Sequence, residues 1–298
     1  MLTGILAGLA AGALWGLVFV VPRITPGLSA VDLTAGRFIS FGAVAAVAML
    51  LTFKSARLPT WSQALTAAGM SVLGFTGYYW LLAMSITDAG SEVPTLIIGI
   101  IPIWMMIWGK PVALRWRALL PGMLLTLIGL ALMTLASLNS MSNVEGGGMF
   151  WRGVGFATLA MVSWTVFGLI NAAWLSQHPE VSASTWANWL GIATGVGALM
   201  LWLVAGSPEQ TLMALDNKDW LVFVCVATGI GSAWLPTIFW NIASQRLSAS
   251  LCGQLIVAET VFGLVYSFWW DQQWPAGLQI AACVLFIAGI LASIRAHT

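Results

Sequence analysis

Charged residues are scarce in this sequence. Only 7% of the 298 residues are Asp, Glu, Lys or Arg, whereas 60% are hydrophobic. A soluble globular domain carries about 25% charged residues, so most of this chain is expected to lie in lipid. The formal net charge is only +1. A charge this small excludes the broadly basic surface of a nucleic-acid-binding protein, and we expect no nucleic-acid partner.

Side chains that bind metals or catalyse reactions are also few. The three cysteines lie in apolar runs, with neither metal-ligand spacing nor a disulfide framework. The two histidines lie at the edge of an apolar run and at the tail, away from Glu259, the one acid in the middle of such a run. No P-loop is present, so ATP does not drive the protein directly. We expect no metal, no cofactor, no catalytic residue and no enzymatic activity; an intramembrane enzyme is a distant alternative.

What the sequence has instead is long apolar runs. Windows of about 20 apolar residues mark transmembrane helices. The runs lack the alternation of barrel strands, which favours helices. The first run lacks the basic start and cleavage site of a signal peptide, so we expect it to be retained. The predicted spans are 2–22, 32–53, 62–84, 90–109, 117–137, 151–175, 183–205, 219–243, 248–270 and 275–295.

Basic residues predict the orientation of these spans. Ten spans place both termini on one side of the membrane. If that side is the cytoplasm, seven Lys and Arg residues fall in the inner loops and tail and three in the outer loops. Such a bias is the positive-inside pattern. We therefore predict a multi-pass protein of the inner (cytoplasmic) membrane, surrounded by the lipid bilayer, with both termini in the cytoplasm.

The two halves of the chain resemble each other. Three short matches occur in the same order in both halves, at offsets of 149 to 160 residues. Each half holds five spans, an odd number, so the second half must insert upside down relative to the first. We predict an all-α polytopic membrane protein with two inverted five-helix repeats, 1–137 and 151–298, around a central cavity. A glycine-rich outer connection, 138–150, joins them. The matches pair 12–20 with 161–169, 79–84 with 239–244, and 127–132 with 286–291.

This pattern resembles the drug/metabolite transporter superfamily over essentially the whole chain. Within it, the wealth of aromatic residues is similar to YddG-type exporters of aromatic amino acids. The resemblance implies ten helices in two inverted repeats. Span nine departs from the family pattern, because Glu259 stands where the repeat usually has a proline such as Pro102. The residues that carry the likeness are Trp15-Gly16, Arg37-Phe38, the segment 83–102 and the glycine-rich spans five and ten.

Glu259 is the most informative polar residue. A carboxyl group near the bilayer midplane costs several kcal/mol unless it faces protein or a water-filled cavity. We predict that Glu259 lines a cavity, where it contacts a substrate ammonium group or exchanges a proton. The alternative is a carboxyl group that only holds helices together.

Aromatic residues supply most of the remaining candidates. The 18 tryptophans exceed the needs of interfacial belts. Deep rings with N–H or O–H groups favour a cavity that accepts flat, amphipathic solutes, although helix packing is an alternative. For Asn171, interhelical hydrogen bonding competes with substrate contact. The predicted substrate-binding residues are Trp15, Tyr78, Tyr79, Trp104, Trp164, Asn171, Trp234 and Glu259.

Three prolines, Pro94, Pro102 and Pro236, interrupt apolar runs and are predicted gating or hinge residues, with static bends as the alternative. Asp32 and Arg37, near the outer end of span two, are predicted to be structural or gating residues. Spans five and ten lack polar groups near their middle. We therefore expect them outside the core, with a homodimer through spans five and ten as a further expectation.

The predicted function is export of aromatic amino acids, or similarly flat amphipathic solutes, by alternating access. The small-molecule substrate is then the main partner. The alternative is a drug/metabolite-type carrier for other small solutes, such as neutral amino acids or organic cations.

Overall fold

The computed structural model describes residues 1–52, 57–90, 92–138, 148–272 and 274–297, and all regular structure in these ranges is helical. Short helical turns, Leu17–Phe19, Val21–Ile24 and Glu209–Met213, lie between the long helices. The long helices are α1 (Leu2–Gly16), α2 (Ala30–Leu51), α3 (Trp61–Ser71, Val72–Thr76 and Gly77–Ala89), α4 (Glu92–Ile98 and Ile101–Trp108), α5 (Trp116–Leu138), α6 (Gly148–Gln177), α7 (Ala183–Ala205), α8 (Lys218–Gly229, Ile230–Trp234 and Leu235–Arg246), α9 (Ala249–Asp271) and α10 (Gly277–His297).

Each of the ten predicted spans coincides with one of these helices, which confirms the all-helical prediction. Eight helices in the described part of the chain are long and apolar enough to cross a membrane, and Val93–Trp108 in α4 is a shorter apolar helix. The remaining helix, α3, lies where span three was predicted. Most of the predicted connection 138–150 lies outside the described residues.

Serine side chains set the starts of three helices. Ser29, Ser182 and Ser248 precede α2, α7 and α9, and each Oγ accepts a hydrogen bond from the backbone N–H three residues later, at 3.0, 3.1 and 3.2 Å. These bonds satisfy backbone donors that the first helical turn leaves without a partner. The serines that mark these helix starts therefore lie just before the apolar runs.

The helices pack in a repeated pattern. Helix α1 packs against α8 and α9, and α6 packs against α3 and α4. Helix α2 contacts α8, and α7 contacts α3. Three more contacts, α2–α7, α4–α9 and α5–α10, each join helices five apart in the order. These contacts are reproduced when each helix is exchanged for the one five places away, whereas the contacts of α6 with α8 and α9 have no such counterpart among the main contacts of α1.

Helices α3 and α8 share a further feature, a π-helical turn in the middle of the helix. The turns begin at Val72 and Ile230, 158 positions apart. This spacing aligns Trp240 with Leu82, whereas the sequence comparison aligned it with Trp80. The exposures agree with the new alignment, because Trp240 is 1% exposed and Trp80 is 46% exposed. Such turns commonly occur at functional sites.

Glycine permits a close contact between α2 and α7. A Cβ atom on Gly42 of α2 would lie only 2.7 Å from the Cα atom of Gly195 in α7. Small residues at such crossings let transmembrane helices approach closely enough for backbone packing. The α2–α7 crossing therefore depends on glycine in both helices.

Helices α5 and α10 pack on each other and are joined to the core by polar contacts. Gln254 of α9 donates a hydrogen bond to Thr126 Oγ1 of α5 at 2.9 Å and accepts one from Ser293 Oγ of α10 at 3.2 Å. All three side chains are buried. Thr126 lies at the middle of span five, so the prediction that this span lacks central polar groups is wrong, whereas Ser293 lies near the end of span ten. A homodimer through these helices stays a prediction.

Candidate functional site: a ring-lined cavity

A cavity of about 530 Å³ lies between the two halves of the helix bundle. This volume is in the range of small-molecule sites, about 300–1,000 Å³. The sequence predicted an enclosure by spans one to four and six to nine. The structure differs, because α5 and α10 contribute Leu130, Met133 and Phe286 to the lining and α7 contributes none of the lining residues.

The cavity occupies the half of the molecule away from both termini. Phe19 and Ile86, at the edge of the cavity away from the termini, lie close to the ends of helices that lead to the α1–α2 and α3–α4 connections. At the opposite edge, Trp240 lies less than two turns before the end of α8. The lining therefore begins near the helix ends that lie away from the termini and extends as far as Trp240.

Three indole rings form the floor of this cavity, at the edge nearest the termini. Trp15 of α1, Trp164 of α6 and Trp240 of α8 contact one another, with ring centroids 6.4, 5.6 and 5.9 Å apart. Phe167 lies 6.0 Å from Trp164, and its ring is also 5.5 Å from that of Phe75. Edge-to-face and tilted pairs of this kind are favourable arrangements for aromatic rings. The floor thus joins helices from both halves.

Beyond this aromatic floor the bundle is tightly packed. Ala11, Met105, Ala243 and Cys252 are fully buried and belong to one apolar cluster that also includes Trp240. These residues come from α1, α4, α8 and α9. The cluster closes the side of the cavity that faces the termini.

Five of the eight residues predicted to bind substrate line this cavity, together with the predicted hinge residue Pro102. The five are Trp15, Tyr78, Tyr79, Trp164 and Glu259. They come from α1, α3, α6 and α9, which are distant in sequence. The fold therefore brings together the deep rings and the buried acid, and their contact with substrate stays a prediction.

The other three predicted residues lie outside the lining, and each has a partner elsewhere in the bundle. Trp104 packs against Trp108 on its own helix, with ring centroids 5.0 Å apart. Trp234 Nε1 donates a hydrogen bond to Asn188 Oδ1 at 2.8 Å. The geometry gives these rings a role in helix packing.

Asn171, the third, is fully buried in a polar network between helices. Its Oδ1 accepts a hydrogen bond from Trp186 Nε1 at 2.7 Å, and its Nδ2 donates one to Asn241 Oδ1 at 3.2 Å. The network links α6, α7 and α8. Of the two interpretations of Asn171, the geometry matches interhelical hydrogen bonding.

The predicted hinge residues lie at two irregular places in the helices. Helix α4 is interrupted at Gly99–Ile100, between Pro94 and Pro102, and Pro102 is the second residue of the segment that follows. Pro236 lies in the first turn after the π-helical turn of α8. Proline removes a backbone hydrogen-bond donor, which accounts for the break in α4. Helix α9 continues without a break. Motion at these prolines stays a prediction.

Glu259 lies in the uninterrupted helix α9, where its half-buried side chain lines the cavity. Helix α1 approaches its backbone, since a Cβ atom on Gly12 would lie 3.0 Å from Glu259 N. None of the ion pairs formed by described residues includes Glu259. A carboxylate there meets the general expectation that intramembrane acids face a cavity.

Arg37, predicted from the sequence to be a structural or gating residue, is also a cavity residue. It lines the cavity, is 6% exposed, and donates a hydrogen bond from Nη2 to Tyr79 Oη at 2.8 Å. Its guanidinium carbon lies 4.8 Å from the Phe38 ring centroid and 5.0 Å from that of Tyr79. Glu259 was predicted to line a cavity because it is an ionisable group inside a span. Arg37 is also an ionisable group inside a span, so the same rule could have identified it as a cavity residue.

Asp32 does not pair with Arg37. Its carboxylate accepts hydrogen bonds from Ser207 N at 2.9 Å, Ser207 Oγ at 2.6 Å and Trp202 Nε1 at 3.2 Å. These bonds attach the start of α2 to the segment after α7. Asp32 is therefore structural, which leaves Arg37 without a carboxylate partner on its own helix.

The chain is 30% identical to the inner membrane protein YtfF of Escherichia coli (strain K12). The match covers 99% of this chain and 96% of that protein. This chain belongs to the YtfF family. Together with its apolar helices, the membership makes it a multi-pass protein of the inner membrane. No family model matches the sequence.

The fold of this YtfF-family member also occurs in a protein of known crystal structure. The two folds superpose with a TM-score of 0.78, covering 99% of this chain and 96% of that chain, at 20% sequence identity. At this identity the likeness shows the fold alone.

Proposed function

We propose that the protein is a carrier of the drug/metabolite type that exports aromatic amino acids or similarly flat, amphipathic solutes by alternating access. The observation that carries this proposal is the ring-lined cavity between the two halves of the bundle. Aromatic walls favour flat solutes through stacking and edge-to-face contacts, and ring faces attract ammonium groups.

The helix contacts support an inverted-repeat architecture. Exchange of each helix with the one five places away reproduces most of the helix contacts, and both α3 and α8 contain a π-helical turn. Two related units of five helices, an odd number, enter the membrane in opposite directions. Carriers built this way hold substrate near the midplane, at the interface of the repeats.

The closed side of the cavity supports alternating access. In this structure the cavity lies on the side away from the termini, and the apolar cluster around Met105 and Cys252 closes the other side. With both termini in the cytoplasm, as the basic residues predict, this is an outward-facing state. Transport then requires a second state in which the apolar cluster separates and the outer half closes.

Uptake by vesicles tests the proposal. Purified protein reconstituted into liposomes is expected to take up radiolabelled phenylalanine, tyrosine and tryptophan faster than protein-free liposomes, with saturation by excess unlabelled solute. Rates equal to those of protein-free liposomes for all three solutes contradict the proposal.

A further inference from the structure

Arg37 carries a buried charge without a carboxylate partner. Its side chain is 6% exposed, and its Nε atom is buried without a hydrogen-bond acceptor. The ion pairs formed within the described ranges do not include it. A guanidinium group stays protonated in proteins, so it cannot avoid this situation by losing its proton. Part of its hydrogen-bonding capacity is therefore free for a ligand.

Glu259 supplies the opposite charge on the same cavity. Arg37 comes from α2 and Glu259 from α9, so the two groups enter the lining from different helices. They do not form an ion pair with each other, and most of the other residues that line the cavity are aromatic or aliphatic. An isolated charge in apolar surroundings is unfavourable unless a ligand or side chain pairs with it.

We propose that Arg37 and Glu259 form a two-charge site for a zwitterion, in which Arg37 binds the substrate carboxylate and Glu259 binds the substrate ammonium group. The guanidinium fork suits a carboxylate because it offers several N–H donors in one plane. A zwitterion also brings no net charge into the cavity, unlike an organic cation or anion. The inference rests on the proposed carrier function and narrows its substrates to α-amino acids, with the aromatic walls holding the side chain.

Three ligands that share one ring separate the two charges. Phenylalanine has both groups, phenethylamine lacks the carboxylate, and 3-phenylpropanoate lacks the ammonium group. Titrations of the full-length protein in detergent, followed by tryptophan fluorescence, measure each affinity without interference from a ligand indole. We expect phenylalanine to bind at least about tenfold more tightly than either analogue, because each analogue lacks one of the two charged groups that the site pairs.

Two substitutions assign the charges. In Arg37→Gln, phenylalanine is expected to lose its advantage over phenethylamine and to keep its advantage over 3-phenylpropanoate. In Glu259→Gln the reverse is expected. Arg37→Lys keeps the positive charge and is expected to restore part of the preference for a carboxylate. Arg23→Gln is the matched control, because Arg23 is an exposed arginine paired with Asp271 at 3.1 Å, outside the cavity lining.

Several results overturn the two-charge site. Absence of saturable phenylalanine binding does so, as does equal affinity for phenylalanine and phenethylamine in the unmodified protein, or an equal loss for all three ligands in Arg37→Gln. The ligand series on the unmodified protein decides the matter even if a variant fails to fold. Charge-dependent binding without vesicle uptake would retain the site and reject the carrier, whereas uptake without a preference for zwitterions would retain the carrier and reject the site.

Discussion

Side chains inside the bundle fall into two groups, those that face the cavity and those that hold helices together. Trp164 belongs to the first group, because it lines the cavity and its ring contacts those of Trp15 and Trp240. Asn171 belongs to the second, since its amide bonds to α7 and α8. The two groups are expected to respond differently to substitution.

Trp164→Leu keeps an apolar side chain on the cavity floor and removes the ring. An aromatic pair contributes about 0.5–1.5 kcal/mol beyond buried area, so the affinity for phenylalanine is expected to fall roughly threefold to tenfold. Fluorescence titration in detergent measures it. Trp269→Leu is the control, since Trp269 is 77% exposed and lies outside the lining. An unchanged affinity in Trp164→Leu would show that this ring does not contact the solute.

Asn171→Ala removes both interhelical hydrogen bonds and leaves the buried Trp186 N–H without its acceptor. Such polar bonds between transmembrane helices contribute about 0.6–2 kcal/mol. We expect a lower unfolding temperature in detergent and unchanged affinity for phenylalanine. Gln210→Ala, at an exposed amide, serves as the control. Weaker binding at unchanged stability would instead favour the substrate-contact interpretation of Asn171.

Some of the cavity residues could be predicted from the sequence and others could not. Burial of an ionisable group identified Glu259, because that argument needs only the length of an apolar run. Arg37 was grouped with Asp32, although a separation of five residues places their side chains on different faces of a helix. The partners of Asp32, Trp202 and Ser207, lie beyond α7 and cannot be inferred from a neighbouring stretch of sequence.

At the scale of elements, α4 and α9 contrast most clearly. They pack against each other and occupy corresponding places in the two halves, yet α4 breaks at Gly99–Ile100 and α9 runs unbroken. Pro102 is the second residue of the second segment of α4 and lines the cavity. A break beside the cavity can let one segment of α4 tilt while the other stays packed.

Pro102→Ala restores a backbone N–H group and lets α4 become continuous. If the break serves as a hinge, vesicle uptake of phenylalanine is expected to slow severalfold while equilibrium affinity stays unchanged. Pro121→Ala tests the effect of losing a proline inside a helix away from the cavity, since Pro121 is exposed in α5. Uptake by Pro102→Ala at the unmodified rate would identify a static bend.

Element positions were predictable because apolar runs of sufficient length are themselves the signal for transmembrane helices. The π-helical turns at Val72–Thr76 and Ile230–Trp234 were not predictable, because no residue pattern requires them. Whether α5 lines the cavity depends on where the helices lie relative to one another. The periodicity of apolar residues along the sequence does not determine that placement.

In the molecule as a whole, alternating access requires the packed side of the bundle to open. Cys252 reports on this directly, because it is fully buried in the apolar cluster that closes that side. With Cys225→Ser and Cys283→Ser as background, maleimide modification of Cys252 in vesicles is expected to be slow at rest and faster when phenylalanine is transported.

A control for this experiment places a cysteine at an exposed position. Ser62→Cys, in a background that also lacks Cys252, lies at the start of α3. Its modification rate should not respond to phenylalanine. If Cys252 stays unreactive while transport proceeds, the apolar cluster is not the inner gate.

Counterflow tests directly whether aromatic amino acids reach one ring-lined site from each side of the membrane in turn. Vesicles containing the protein are loaded with unlabelled phenylalanine and diluted into a trace of labelled phenylalanine. A carrier that exchanges solute across one site predicts a transient accumulation of label above its external concentration, absent from protein-free vesicles. A slow rise to the external concentration without overshoot, identical in both preparations, would contradict the account.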